Sequence, residues 1–333
     1  MQPRISIITP SYNQGRYLEE NILSVSNQGI TDLEHIIIDG GSTDNSKEVL
    51  EKYANKLTYW VSEEDQGQSD AVNKGFAKAT GEIIGWLNSD DYYPSGSLNK
   101  VLQAFSDPSV NLVCGTSILF DETGKQEKGE ATVNEKRNLE FHLRFPDINQ
   151  PATFFRRKTM NEFMPLNNTL HYVMDRELWI KYLQQYGLKS IKALNEPLVF
   201  FRSHADSKSE SKEPEFDNEY ATILHWLAKQ HKFGKITELL TVRYDLIKDY
   251  TYSYPKYPDK ETTLNMLRYF LLKRGGLVFN KAQFDFAKKA YSIFDVKNYN
   301  ILPQEEKALK RIRSIAACTS WNHYRIKRKL NLV

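Results

Sequence analysis

The chain has few cysteines, no long apolar segment and little net charge, and each lack excludes a class of protein. Its 333 residues include two cysteines, which permit neither a disulfide framework nor a structural zinc site. No apolar run approaches the roughly 18 residues that span a bilayer. A net charge of +3 is too small to indicate a nucleic-acid partner. The first residues lack the layout of a secretory signal, so we expect a cytoplasmic protein.

The first 90 residues alternate between strand-like and helix-like segments. Short apolar runs at residues 5–9, 35–38, 57–61 and 82–87 predict strands, and apolar residues at helical spacing occur between them. This alternation predicts an α/β fold with a Rossmann-like, mostly parallel sheet flanked by helices. Further strands are predicted at residues 111–120, 152–156 and 198–202, and a helix is predicted at residues 172–185.

The second part of the chain shows amphipathic helical patterns without obvious strands. A Ser-, Lys- and Glu-rich stretch at residues 203–214 separates the two parts, so we predict a domain over residues 1–210 and a helical extension over residues 211–333. The basic segment near the C-terminus includes Trp321 and Tyr324. It predicts either a solvated helix face or a contact with an anionic membrane surface.

Polar clusters follow three of the predicted strands. They are Thr9-Pro10-Ser11-Tyr12-Asn13, Asp39-Gly40-Gly41-Ser42-Thr43-Asp44 and Asn88-Ser89-Asp90-Asp91. Ligands of open α/β sheets bind at the carboxyl ends of the strands. One aspartate after a strand is usually a helix cap, but three clusters at successive strand ends predict one shared cleft.

The chain lacks the glycine-rich loops that bind phosphates in other α/β folds. Neither G-x-x-x-x-G-K-[ST] nor G-x-G-x-x-G occurs, which disfavours a P-loop ATPase and a dinucleotide oxidoreductase. Carboxylates repel a diphosphate unless a divalent cation bridges the two. Asp90 and Asp91 therefore predict Mg2+ or Mn2+ linked to a nucleotide diphosphate. The alternative is a solvated turn that caps the next helix.

These motifs resemble those of the inverting glycosyltransferases of family 2, which have the GT-A fold and build bacterial surface polysaccharides. The similarity covers about residues 4–208, and the order and number of the motifs carry it. Besides the three clusters, the motifs are Asp65-Gln66-Gly67-Gln68-Ser69-Asp70-Ala71-Val72-Asn73-Lys74-Gly75, Gln150-Pro151-Ala152-Thr153-Phe154-Phe155, Met174-Asp175-Arg176-Glu177-Leu178-Trp179 and Phe201-Arg202-Ser203-His204.

The resemblance implies a donor site at the strand ends. Pro10 and Tyr12, next to Thr9, would shape the base pocket, and Asp39 would hydrogen-bond the nucleobase, typically uracil. Asp70 and Lys74 would contact the ribose or the diphosphate.

The resemblance also implies a metal site. Asn88-Ser89-Asp90 stands where the family has its Asp-x-Asp motif, so Asp90 would ligate the metal with Asp91 beside it. His204 would make a further contact with the metal or a phosphate. Asn88 replaces the usual first aspartate and removes one negative charge from the donor site.

Asp175 matches the aspartate of the family's base motif, although Met174 stands where glutamate is common. One carboxylate must take the proton from the acceptor hydroxyl in an inverting transfer. Asp175 is the implied base and Glu177 the second candidate. Since Asp175 also begins a predicted helix, a capping role is the alternative.

The sequence thus predicts an enzyme, an inverting glycosyltransferase of the hexosyl type that uses Mn2+ or Mg2+. It would move a sugar from a nucleotide diphosphate donor, a UDP-sugar above all, to a hydroxyl of a glycan or lipid-linked acceptor in polysaccharide or glycoconjugate biosynthesis. Its location would be cytoplasmic, with peripheral contact to the inner face of the cell membrane as an option. The alternatives are a sugar-phosphate nucleotidyltransferase and a non-catalytic module that binds nucleotides or glycans.

Overall fold

The computed structural model describes residues 5–205, 207–208, 212–293 and 301–330. Two compact units make up the chain. The first comprises Met1–His142, Pro146–Phe216 and Ser253–Lys256, and the second comprises Leu143–Phe145, Asp217–Tyr252 and Tyr257–Val333. The predicted boundary between residues 210 and 211 lies outside the described residues, so it stays a prediction.

An eight-stranded sheet organises the first unit. Its strands are β1 (Ile5–Ser11), β2 (Leu33–Asp39), β3 (Tyr59–Ser62), β4 (Ile83–Trp86), β5 (Leu112–Asp121), β6 (Gln126–Lys128), β7 (Thr153–Arg156) and β8 (Ile191–Ser203). Their order is β3-β2-β1-β4-β7-β5-β6, and β8 pairs with β5. Strands β1 to β4 are parallel, as is the β5–β8 pair. Strand β7 runs antiparallel to both β4 and β5, and β6 runs antiparallel to β5.

The α/β fold class is confirmed, and the parallel pairing is concentrated in the first half of the sheet. Every residue of β1 is buried, which fits its continuous apolar character and its central place between β2 and β4. Helix–strand alternation predicts parallel neighbours, but β7 follows a long connection rather than one crossover helix. Its direction is therefore set by tertiary packing and not by a local pattern.

The first seven α-helices along the chain begin within the first unit. They are α1 (Gly15–Ser26), α2 (Ser46–Lys52), α3 (Gln68–Lys78), α4 (Ser97–Ala104), α5 (Leu139–Arg144), α6 (Arg157–Met160) and α7 (Met174–Tyr186). Helix α3 packs closely on β1, since a Cβ built on Gly75 would lie 2.4 Å from Ile8 Cγ2. This packing fixes the start of α3 beside the carboxyl ends of the strands.

The described part of the second unit is helical, so the predicted C-terminal helices are present. The helices are α8 (Glu213–Gln230), α9 (Gly234–Arg243), α10 (Lys260–Gly275), α11 (Lys281–Ile293), α12 (Pro303–Ala316) and α13 (Trp321–Lys329), the first of which begins in the first unit. A buried ion pair joins Arg144 Nη1 to Glu305 Oε2 at 3.0 Å. Among the described residues, no helix combines the length and apolarity that crossing a membrane requires.

Candidate active site

Three strand ends meet at one edge of the sheet, as the sequence predicts. Ser11, the last residue of β1, pairs with Asp39, the last residue of β2. Strand β4 pairs with β1 up to Trp86 opposite Ile8, and Asn88 follows two residues later. The three polar clusters therefore lie at the same edge.

The Asp39 carboxylate is buried and accepts three hydrogen bonds from the protein. Its Oδ1 accepts from the Ser42 hydroxyl at 2.6 Å. Its Oδ2 accepts from the Ser42 backbone N–H at 3.0 Å and from the Ser62 hydroxyl at 2.7 Å. Asp39 thus holds the loop after β2 against β3. Helix α2 begins at Ser46, so Ser42 binds Asp39 and does not cap that helix.

The first cluster is exposed at its last two residues, Tyr12 and Asn13. Thr9 and Pro10 are buried in β1, and Thr9 Oγ1 lies 3.0 Å from His35 Nε2. Tyr12 is 61% exposed, so its ring is the accessible one of the three implied donor contacts. The adjacent Asn13 holds the loop in place, because its N–H donates to Ser42 Oγ at 2.7 Å and its Oδ1 accepts from the Thr43 N–H at 2.9 Å.

Asp70 and Lys74 lie on the first two turns of α3 and contact each other. Lys74 Nζ is 3.4 Å from Asp70 Oδ2 and 3.3 Å from Glu63 Oε1. Asp70 Oδ2 also accepts from the Gln66 N–H at 3.1 Å. The pair thus ties the start of α3 to the loop that precedes it.

Both the oxygen and the nitrogen of the Asn88 side-chain amide form hydrogen bonds with other protein groups. Its Oδ1 accepts from Gln68 Nε2 at 2.9 Å and from the Trp86 indole N–H at 3.2 Å. Its Nδ2 donates toward Asp91 Oδ2 at 3.4 Å. The neighbouring Ser89 is buried. An aspartate at position 88 has no N–H for Asp91, which gives a physical reason for the amide here.

Asp90 and His204 bring a carboxylate oxygen and an imidazole nitrogen together. His204 Nε2 lies 3.0 Å from Asp90 Oδ2, although 114 residues separate them in sequence. The imidazole is buried, and its Nδ1 faces Arg16 Nη2 at 3.5 Å. Arg202 Nε donates to the Asp90 backbone oxygen at 3.0 Å, so the end of β8 holds the loop after β4.

Asp91 differs from its neighbour Asp90 in burial and partners. Only 2% of its surface is exposed, and its Oδ1 accepts from the Arg202 N–H at 2.9 Å. Burial, reinforced by the charge of Asp90, raises the pKa of Asp91 well above its usual range. Asp91 thus joins the loop after β4 to β8.

The site can supply part of a coordination shell for a divalent cation. Across the ranges that the structure describes, no three His, Cys, Asp or Glu side chains are arranged to hold a metal ion. The Asp90 oxygen and His204 nitrogen are nonetheless suitable ligand atoms at one point. Mg2+ commonly takes one or two carboxylates and completes its shell with substrate phosphates and water. The donor set therefore fits a cation that a diphosphate shares.

Asp175 is the second residue of α7 and lies beside an apolar cavity. Trp86, Phe155 and Leu178 are among the residues that line this cavity with it. Burial raises the pKa of Asp175 to about 6, although the adjacent Arg176 charge and N–H favour the carboxylate. A carboxylate with this pKa can accept a proton near neutral pH.

Glu177, the second candidate base, is already paired. It is 1% exposed, and its Oε2 accepts from Lys181 Nζ at 3.0 Å. Lys181 also donates to Ser253 Oγ at 3.0 Å. Glu177 is thus a buried partner of Lys181, and Asp175 remains the better placed carboxylate.

Sequence reasoning also missed or misplaced several side chains near the site. Tyr93, which follows the acidic cluster, is 2% exposed and lies in the core, and Tyr92 stacks on Phe200. Gln68 was not singled out, yet it links Asn88 to Lys208, whose Nζ donates to Gln68 Oε1 at 2.9 Å. Its position inside the Asp65–Gly75 motif was the available signal.

Comparison with known proteins finds similarity to glycosyltransferases over the first part of the chain. Residues 6–163 match the family model described as "Glycosyl transferase family 2". An uncharacterized glycosyltransferase of Nostoc sp. is 30% identical over 216 residues, which cover 60% of this chain and 65% of that protein. The GalNAc(5)-diNAcBac-PP-undecaprenol beta-1,3-glucosyltransferase of Campylobacter jejuni is 35% identical over 211 residues, which cover 60% and 65%. The chain thus spans less than two thirds of these relatives.

Solved structures support the same fold. S. aureus TarS 1-349 superimposes with a TM-score of 0.60 at 17% identity, covering 97% of this chain and 91% of TarS 1-349. The mannosyltransferase PcManGT of Pyrobaculum calidifontis, solved with GDP-Man and Mn2+, gives a TM-score of 0.53 at 16% identity and covers 99% of this chain and 88% of its own. These similarities show a GT-A fold.

Proposed function

Because residues 6–163 match the model of glycosyltransferase family 2, we propose that the protein transfers a sugar from a nucleotide diphosphate donor to an acceptor hydroxyl. The observation that carries the proposal is the approach of Asp90 Oδ2 to His204 Nε2 at the strand edge where Asp39 also ends its strand. A carboxylate and an imidazole at this edge can bind a diphosphate through a cation that both sides coordinate. Without a cation, the carboxylates would repel the diphosphate.

The donor would bind along the carboxyl ends of β1, β2 and β4. Tyr12 is exposed and would offer a ring to the base, while Thr9 and Pro10 are buried in β1 just before it. Asp39 would act on the base chiefly by fixing the loop after β2. Asp70 and Lys74 would border the ribose or diphosphate from α3.

Asp90 and His204 would hold Mn2+ or Mg2+, with Asp91 as support for the loop that carries Asp90. When bound, the cation would neutralise the charge that develops on the departing nucleotide diphosphate. Arg202 fixes the Asp90 backbone through the 3.0 Å hydrogen bond, so the ligand atoms are positioned before the donor arrives. Asn88 supports the same loop from the side of Gln68.

Asp175 would take the proton from the acceptor hydroxyl. Its burial beside the apolar cavity lifts the pKa to about 6, which keeps it ionised at neutral pH and makes it a stronger base than an exposed aspartate. The proposed base Asp175 and the proposed cation ligand Asp90 lie on different elements, α7 and the loop after β4. This separation suits a single displacement, in which the hydroxyl attacks opposite the leaving group and the anomeric carbon inverts.

The donor class is proposed from similarity together with the site. TarS 1-349 has been solved with UDP and with UDP-GlcNAc, and PcManGT with GDP-Man and Mn2+. These complexes support a UDP-hexose as the first donor to test and a GDP-sugar as the second. The Campylobacter relative is described by an undecaprenol-linked acceptor, which supports a glycan or lipid-linked acceptor in surface-polysaccharide biosynthesis. A cytoplasmic location, on the inner face of the cell membrane, would suit such an acceptor.

A donor panel tests the proposal. The protein is incubated with UDP-, GDP- and dTDP-sugars and Mn2+, with and without glycan and lipid-linked acceptors, and nucleotide release is measured. Release that requires both Mn2+ and a sugar nucleotide is expected. The absence of nucleotide release with every donor would contradict the proposal. Pyrophosphate release from a nucleoside triphosphate plus a sugar phosphate would favour a nucleotidyltransferase.

A further inference from the structure

The C-terminal helices carry a concentration of positive charge that the rest of the chain lacks. Residues 303–330 contain eight lysines and arginines and two glutamates, a net charge of +6, whereas the whole chain has +3. Helix α13 has no acidic residue. One of the two glutamates, Glu305, is buried in its pair with Arg144 and does not offset the surface charge.

The structure shows which apolar and aromatic residues of this region are packed and which are exposed. The exposed ones are not the two aromatic residues that the sequence singles out. Tyr324 is 2% exposed, its hydroxyl donates to the Val278 backbone oxygen at 3.2 Å, and Trp321 stacks on it. Both rings also pack on Phe284, so they are not the residues of an exposed interface. The opposite face of α13 and the residue after it expose Ile326 (59%) and Leu330 (62%).

A third exposed apolar residue, Phe279, lies beside the packed side of α13 and not on the face of Ile326 and Leu330. Phe279 is 63% exposed and belongs to the turn between α10 and α11. Arg328 of α13 donates to the Val278 backbone oxygen at 2.9 Å, and its guanidinium lies 5.2 Å from the centre of the Phe279 ring. These contacts connect the turn to α13. The "C-terminal patch" therefore comprises the exposed residues of the opposite face, Arg325, Ile326, Lys329 and Leu330.

We propose that the C-terminal patch docks on an anionic lipid bilayer surface. Its exposed apolar side chains can enter the boundary between headgroups and acyl chains, while Arg325 and Lys329 meet anionic headgroups. Such a surface binds a protein at the interface without any spanning helix.

Charge and exposure favour this occupant over two others. A two-fold contact with a second copy would set the basic patch against itself, and like charges would repel. A nucleic acid would use the cations but would leave Ile326 and Leu330 exposed to water. A bilayer with anionic headgroups satisfies both the charged and the apolar residues.

Vesicle flotation of the full chain tests the patch. The vesicles are pure phosphatidylcholine or a 7:3 mixture with phosphatidylglycerol, at low and at high salt. We expect binding to the anionic vesicles at low salt. The double variant I326D/L330D should lower the partition coefficient at least tenfold, and R325Q/K329Q should lower it severalfold and reduce the salt dependence. Val242→Asp, at a residue 76% exposed on α9, is the matched control and should bind as the unmodified chain does.

The outcomes separate this inference from the proposed function. Nucleotide release with a soluble acceptor should be unchanged in I326D/L330D, because the patch lies in the second unit and outside the site residues. The inference is overturned if the unmodified chain ignores anionic vesicles or if I326D/L330D floats equally well. It is also overturned if light scattering without lipid shows a dimer that I326D/L330D abolishes, or if a DNA duplex binds and the vesicles do not.

Discussion

Four aspartates near the sheet edge divide into two pairs that differ in their hydrogen bonds. Asp39 accepts from three protein donors, and Asp91 is held by the Arg202 N–H and the Asn88 amide. In the described part of the chain, the Asp90 carboxylate hydrogen-bonds one side chain, His204, and the Asp175 carboxylate accepts the N–H of the next residue. A carboxylate with filled acceptor sites supports a loop, whereas one with free acceptor sites can meet a ligand.

The largest expected effect is at Asp175. Asp175→Asn keeps the shape of the side chain but removes the proton acceptor, so kcat should fall roughly 10^3-fold. The dissociation constant of the donor, measured by calorimetry with Mn2+ present, should stay within about twofold of the unmodified chain. Glu177→Gln is an unsuitable control because it breaks a buried ion pair. A kcat near that of the unmodified enzyme would show that another group takes the proton.

Substitutions at Asp90 and His204 should weaken donor binding, whereas proton transfer depends on Asp175. Asp90→Ala and His204→Ala each remove one ligand atom from the proposed cation site, so the affinity for UDP with Mn2+ should fall roughly 10- to 100-fold. The exposed His171, changed to alanine, is the control. If calorimetry gives the same affinity for His204→Ala and the unmodified chain, His204 is not a ligand of the cation.

Asp39 should contribute to stability more than to chemistry. Asp39→Ala leaves the Ser42 and Ser62 donors at a buried site without their acceptor, which should cost about 1–3 kcal/mol of unfolding free energy. Asp70→Ala, a change at a less buried helix position, should cost less. Urea unfolding measures both, and equal midpoints for Asp39→Ala and the unmodified protein would contradict the supporting role.

Asn88→Asp restores the residue that the family commonly has, but it should weaken this protein. A carboxylate at position 88 would face Asp91 across about the 3.4 Å that now separates an N–H donor from its acceptor. Donor affinity with Mn2+ should therefore fall roughly tenfold, or about 1.4 kcal/mol. Tighter donor binding by Asn88→Asp would instead indicate that position 88 contacts the ligand directly.

A separate effect is the pH dependence that Asp175 gives to stability. Its folded pKa of about 6 lies above that of an unfolded aspartate, so the folded state is favoured most below about pH 4, where the group is protonated in both states. This contribution is lost as the pH rises through 6. Asp175→Asn should therefore be more stable than the unmodified chain by about 3 kcal/mol at pH 8, because the pKa differs by roughly two units. Urea midpoints that shift equally at pH 4 and pH 8 would contradict it.

The first four strands and the polar clusters after them could be predicted because they follow local patterns. Apolar runs of four to six residues alternate with helical spacing, and the parallel order then places the clusters at one edge. Strands β5, β7 and the end of β8 could be predicted as strands but not by direction, since strand periodicity is the same in both orientations. The sequence did not predict the short strand β6.

The division of the aspartates could not be predicted, because their partners are distant in the chain. Ser62 is 23 residues from Asp39, and Arg202 is 111 residues from Asp91. The face of α13 was also ambiguous, since Trp321, Tyr324, Ile326 and Leu330 are all apolar or aromatic. Packing on Phe284 decides which of them turn inward.

Mn2+ titration followed by electron paramagnetic resonance, with and without UDP, tests the central claim most directly. With two protein ligand atoms, Asp90 Oδ2 and His204 Nε2, the chain alone should bind Mn2+ weakly, and UDP should tighten binding at least tenfold. Asp90→Ala should abolish that gain, and Asp175→Asn should keep it. Equal Mn2+ affinity with and without UDP, or an undiminished gain in Asp90→Ala, would contradict the claim that these residues and the diphosphate share one cation.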